Sequence, residues 1–162
     1  MTQRAVVHET FSIARTYPAT LSRVFGAFAS QEAKNIWGDT GDTESADVDG
    51  TQTEFDFQVG GRERFGFKYQ GTTYRYDALY YDIVPCQRII YSYEMYADGA
   101  RVSVSVATIE FAEAGDGSAL TWTEQGAYLD GIEGLDAAQL RSEGVAEMLN
   151  GLEKYLAPQP VS

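Results

Sequence analysis

The sequence predicts an α+β domain in which a seven-stranded antiparallel sheet curves around one long C-terminal helix. Three observations predict it. Six segments in the middle of the chain alternate apolar and polar residues across short turns. The closing segment carries its apolar residues at helical spacing. Two short segments near the start carry helix-initiating residues.

Residues 7–17, VHETFSIARTY, set Phe11, Ile13 and Tyr17 against Ser12 and Ala14, the period of a strand, and Pro18 ends it. Thr20 is placed to cap LSRVFGAFA, with Leu21, Val24, Phe25 and Phe28 on one side. Ser30 is placed to cap QEAKNIW, which closes at Gly38. A polar loop, DTGDTESADVDG, follows. Strands are then expected near 53–59, 62–69, 72–83, 87–97, 100–112 and 118–128. Gly60-Gly61, Gln70-Gly71, Pro85-Cys86, Asp98-Gly99 and Asp116-Gly117 stand at the turns. Turns this short make neighbouring strands antiparallel, so the six form one sheet. Gly60 and Gly61 permit positive φ at both positions of a tight hairpin.

The last helix is expected to start with a capping-box-like Asp136 and Gln139, with Leu135 stapled onto Leu140. Its stripe comprises Leu140, Val145, Met148, Leu149, Leu152, Tyr155 and Leu156, and Gly144 lies on the same face. Pro158 and Pro160 stop it. The stripe must be buried, and one face of the sheet is the surface large enough to bury it. A strongly twisted sheet curls around such a helix and leaves a concave space.

The 162 residues fit a single domain spanning 1–162. A chain of this size buries about 70% of its extended surface. The net charge of −12 argues against nucleic acid and against an anionic membrane surface, both of which need a basic face. One cysteine, Cys86, excludes an intrachain disulfide and fits a reducing cytoplasm. The first residues lack the apolar run of a signal peptide, and no stretch approaches the ~18 apolar residues of a membrane span. The expectation is a cytoplasmic protein.

With this order of elements the chain resembles the helix-grip fold of START-like proteins, the SRPBCC superfamily that includes the birch pollen allergen. Within it, the chain is similar to the branch named for activators of the ninety-kilodalton heat-shock chaperone's ATPase. The residues that carry the likeness are IARTYPATLSRVFGAFAS (13–30), Trp37, FDFQVGGRERF (55–65), YYDIVPCQRIIYSYEM (80–95), VATIEFAEAGDGSALTWTEQGAYLDG (106–131) and the closing helix. The resemblance implies a cavity for apolar or aromatic small molecules between the sheet and the last helix. In that superfamily some members carry lipids, some bind hormones and some cyclise polyketides.

The candidate cavity residues follow from the period of two. Phe55, Phe57 and Val59 share a face, placed inward, as either pocket wall or plain core. Tyr91, Tyr93 and Met95 form a second inward row, and buried phenols are easier to satisfy beside a partly wet pocket. The facing of Tyr74, Tyr76 and Tyr80 stays open, because Leu79, Tyr81 and Ile83 claim the opposite face. If Leu120 and Trp122 point inward, so does Glu124. An inward carboxylate is costly unless paired. It is then a base with a raised pKa, a polar anchor for a ligand, a partner of Arg62, Arg64 or Arg101, or a group at the watery rim. Trp37 stands as a gate or a plug. Met148, Leu149 and Leu152 are the opposite wall or ordinary helix packing. Gly144 either relieves crowding or enlarges the pocket.

Asp39, Asp42, Glu44, Asp47 and Asp49 lack the ligand spacing of a calcium loop and read as a solvated loop. His8 is the one histidine, so no zinc cluster is expected, and no nucleotide-binding or serine-hydrolase motif occurs. No cofactor is called for. Three functions stay in play: binding of a small hydrophobic ligand, a cyclase- or dehydratase-type enzyme resting on Glu124, and a co-chaperone-like interaction module. An outward row of Ile90, Val102 and Val104 is the candidate surface for a homodimer.

Overall fold

The computed structural model describes residues 4–39, 41, 43–46 and 53–158. The element order is β1 (Val6–Tyr17), α1 (Leu21–Ala29), α2 (Gln31–Trp37), β2 (Glu44–Ala46), β3 (Glu54–Phe55), β4 (Arg62–Tyr69), β5 (Thr72–Val84), β6 (Arg88–Ala97), β7 (Ala100–Ala114), β8 (Gly117–Leu129) and α3 (Ala137–Leu156). One antiparallel sheet runs β1-β8-β7-β6-β5-β4-β2, and β3 adds to β4. Among the described residues the expected α+β architecture is present, with eight strands in place of seven. Of the acidic loop positions, Asp42, Asp47 and Asp49 lie outside the described residues.

Local chemistry sets most element ends. The Thr20 hydroxyl accepts from the Arg23 amide at 3.2 Å, and the Ser30 hydroxyl accepts from the Ala33 amide at 3.2 Å. Each satisfies an amide that the helix leaves free. Arg23 also donates to the carbonyls of Leu156 and Tyr155 at 2.9 and 3.2 Å, closing the C-terminal end of α3. The Gln70-Gly71 and Asp98-Gly99 turns have positive φ at both residues, as a tight hairpin requires.

Four local expectations need correction. The strand expected over 53–59 shrinks to Glu54–Phe55. After it the chain folds tightly, with the Gly61 amide donating to the Gln58 carbonyl at 2.8 Å and the Gly60 amide to Tyr80 at 2.8 Å. Only Gly60 has positive φ; Gly61 is needed because a Cβ there would lie 2.1 Å from the Asp56 carbonyl oxygen. Val59 consequently points outward and is 62% exposed.

The start of α3 is the second correction. Asp136 has φ −98° and ψ 13°, and its side chain makes no capping bond. An Ncap carboxylate arcs over the first turn from extended backbone, which Asp136 lacks. Leu135 and Leu140 are both exposed, so the staple is not buried.

On β5 the structure gives the facing that the sequence leaves open. Tyr76, Ala78 and Tyr80 face inward, and the register with β6 slips between Tyr80 and Asp82. The extra residue, Tyr81, is exposed, and beyond it Ile83 turns to the core. A bulge of this kind inverts facing along one strand, which is why one period could not assign all of β5. A second slip, between Met95 and Tyr96, leaves Val102 out of register and buried. Val102 therefore drops out of the outward row, while Val104 stays exposed.

Helix α3 approaches β1, β8, α1 and α2 closely. The tightest approach is at Gly151, where a Cβ would lie 2.4 Å from the Trp37 carbonyl oxygen. Gly144, by contrast, is exposed and has nothing within 4 Å of a Cβ position, so it relieves no crowding. Val145, Leu149, Leu152 and Leu156 are fully buried against the helix pair and the β1 side.

Candidate functional site

The inner face of the sheet is ruled into rungs by the strand register. One rung reads Tyr80, Tyr91, Ala107, Glu124, Phe11 across β5, β6, β7, β8 and β1. Large side chains stand on both sides of Ala107, so this rung dips at its middle. The next rung reads Ala78, Tyr93, Ser105, Gly126. Rings from neighbouring strands meet along these rungs: Tyr80 and Tyr91 are edge-on at 5.7 Å, and Tyr76 stacks on Tyr93 at 5.0 Å.

Glu124 sits in this surface at 2% exposure. Burial pushes its carboxyl up to about 7, against the opposing pull of a hydrogen bond from Tyr93 and the charge of Arg141. Among the described residues its Oε2 has no hydrogen-bond partner, and neither does Trp122 Nε1 or Ser105 Oγ. These are three buried, unsatisfied polar atoms on adjacent strands, a concentration that a sealed core avoids. Trp122 and Glu124 are two residues apart on one strand and therefore share a face.

Arg141, from α3, completes the polar group. It donates to Tyr93 Oη at 2.9 Å, to Ser103 Oγ at 3.2 Å and to Glu133 Oε1 at 3.0 Å, and lies 5.6 Å from the Tyr93 and Tyr128 ring centres. Burial works against its charge, but Tyr93 and Glu133 outweigh burial and hold the guanidinium cationic. Burial raises Tyr91 and Tyr93 well above the usual phenol range, so both stay neutral. The arrangement is a fixed cation, a neutral relay phenol and a carboxyl able to gain or lose a proton near neutrality.

A second buried polar group lies at the β4 side. Lys34 of α2 donates to both Glu63 oxygens, at 2.8 and 2.6 Å, and Tyr80 donates to Glu63 Oε2 at 2.7 Å. The Lys34 ammonium sits 5.5 Å from the Phe55 ring centre. This carboxylate is fully paired, unlike Glu124.

The other expected residues fall as follows. Trp122, Tyr91 and Tyr93 are buried, and Met95, Met148 and Phe57 are half-buried against the same core. Phe55 stacks parallel to Phe57 with ring centres 6.2 Å apart, and Phe57 meets Tyr80 edge-on at 5.2 Å. Trp37 is buried on Phe28 and its indole donates to the Ala27 carbonyl at 2.9 Å. Leu149 and Leu152 are core, and the Leu149 carbonyl accepts from the Tyr17 hydroxyl at 3.0 Å. Arg62 and Arg64 pair with Asp77, and Arg101 with Glu94, so none of the three arginines named for Glu124 reaches it. The one signal for Arg141 in the sequence is its place four positions before Val145 and seven before Met148, on the same stripe. On the outward side of the sheet, an open groove of about 440 Å³ runs between His8, Val104, Val106 and Gln125.

The fold and this interior define a helix-grip protein of the START-like class. Residues 18–157 match the family described as Activator of Hsp90 ATPase homolog 1-like protein, and the chain belongs to that family. It is similar to the crystal structure of the Mll3558 protein from Rhizobium loti, at 43% identity and TM-score 0.81 over 94% of this chain and 99% of that one. A putative uncharacterized protein from Rhizobium leguminosarum is similar at 35% identity and TM-score 0.80, over 96% and 98%. Protein CV1439 from Chromobacterium violaceum shares the fold at 23% identity and TM-score 0.74, over 93% and 98%. No curated protein matches the chain. Among the described residues no helix is long and apolar enough to cross a membrane.

Proposed function

We propose that the chain binds a small apolar or aromatic molecule between the inner face of the sheet and α3, with Glu124 as its polar anchor. The observation that carries this reading is the unpaired, buried Glu124 Oε2 beside the dip at Ala107. Aromatic side chains supply apolar area, worth roughly 25 cal/mol per Å² removed from water, and a few polar groups set orientation. Membership of a START-like family supports the same reading. Native mass spectrometry of gently purified protein, with titration by the neutral fluorescent probe N-phenyl-1-naphthylamine, tests it. A retained small molecule or one saturable probe site is expected; neither, in folded protein, contradicts the proposal.

A second reading is favoured by one observation. A carboxyl pushed up to about 7 is suited to general acid–base work of the cyclase or dehydratase kind. In that case Glu124→Gln abolishes turnover of a substrate that it still binds. A co-chaperone role, which the family's description names, draws on no feature of this interior.

A further inference from the structure

Resting on that ligand-binding reading, we propose that the molecule taken up at Glu124 is a neutral aromatic bearing a hydroxyl group, which donates its hydrogen bond to the Glu124 carboxylate. The inference comes from what the site leaves unsatisfied and what it has already satisfied. An ionised carboxylate only accepts, so its free oxygen asks for a donor. Trp122 Nε1, two residues away on the same face, is a free donor and asks for an acceptor. A hydroxyl is the smallest group that is both donor and acceptor, and its O–H answers the free oxygen of Glu124.

Charge excludes the other classes. An anionic ligand would need a cation to meet it, and the cation of this site is committed: Arg141 is held by Glu133, Tyr93 and Ser103. It would also face Glu124 itself. An ammonium ligand would be buried with the Arg141 charge already acting on the same carboxylate, and a second desolvated cation there is costly. The groups facing Glu124 from the packed elements are Tyr91 and Tyr93 on β6, Tyr128 on β8 and Arg141 on α3. Three of these four are neutral phenols, which offer ring faces and edges to an aromatic guest.

The test uses four probes of one size on the full chain: 2-naphthol, 2-methoxynaphthalene, 2-naphthoate and 2-naphthylmethylammonium. Near pH 8, where Glu124 is mostly ionised, 2-naphthol is expected to bind at least about tenfold more tightly than its methyl ether, as suits a bond to a charged acceptor. In Glu124→Gln, with the fold checked by circular dichroism, that preference falls to within about threefold. Should this variant fail to fold, the wild-type protein supplies the control. Its preference for the hydroxyl must shrink near pH 5, where the carboxyl is mostly protonated. Equal binding of naphthol and ether, or preference for the anion or the ammonium, overturns this inference and leaves ligand binding standing. Failure of all four to bind overturns both.

Discussion

The Arg141 guanidinium donates to the Tyr93 hydroxyl at 2.9 Å, joining the last helix to the inner face of the sheet. Tyr93 in turn bonds to Glu124, and this bond holds the Glu124 carboxyl lower than burial alone would. Removing the hydroxyl with Tyr93→Phe is therefore expected to raise the midpoint of Glu124 above about 7. Carbon-detected NMR of the Glu124 carboxyl against pH reads it directly. A midpoint that stays or falls contradicts the assigned link.

Glu124 also makes stability depend on pH with a definite sign. Its carboxyl titrates near 4.5 when solvated and about 7 when folded. Below the lower value both states are protonated and burial carries no ionisation penalty. Between the two values the unfolded chain releases a proton that the folded chain keeps, so stability falls as pH rises and levels off above the folded value. The gap from 4.5 to about 7 corresponds to roughly 3 kcal/mol. Urea denaturation of Glu124→Gln against wild type should show the variant gaining relative stability from about pH 5 to about pH 8. A constant difference across that window would count against the burial of an ionisable group there.

Two glycines of α3 are expected to respond in opposite directions. Gly144 has open space at its Cβ position, so Gly144→Ala should stabilise by about 0.5–1 kcal/mol through helix propensity. A Cβ at Gly151 would lie 2.4 Å from the Trp37 carbonyl oxygen, so Gly151→Ala must push α2 away and should destabilise by about 2 kcal/mol or more. Thermal melts of the two single variants settle the order.

Lys34 neutralises Glu63 where water is scarce, with side-chain exposures of 22% and 9%. Lys34→Met leaves that carboxylate with Tyr80 as its remaining hydrogen-bond donor and should cost about 2–4 kcal/mol. Adding Glu63→Gln removes the stranded charge and should recover most of the loss. Urea midpoints of the single and double variants check this coupling, and simple additivity would refute it.

The layout of the sheet was legible because turn chemistry and the period of two act locally. Asp98 and Gly99 adopt the positive φ values that their residue types favour, and the six long strands lie close to their expected places. What stayed hidden depends on register. The bulge at Tyr81 and the slip beside Val102 each swap the faces of a strand, and no local signal in the chain marks them. Glu124 could be singled out because a carboxylate sits in phase with Leu120 and Trp122. Its partner could not be chosen, since the sequence offered three strand arginines, and only tertiary packing sets Arg141 beside Tyr93. A glycine inside a helix marks a close approach, but in α3 that approach occurs two turns after Gly144, at Gly151.

The central claim, a guest held between Glu124 and the aromatic rungs, is tested most directly by intermolecular NOEs between 2-naphthol and the isotope-labelled protein. The account predicts NOEs from naphthol protons to the rings of Tyr91, Tyr93 and Trp122 and to the Met148 methyl. NOEs confined to Val104, Val106 and Gln125 on the outward groove, with none to those rings, would contradict it.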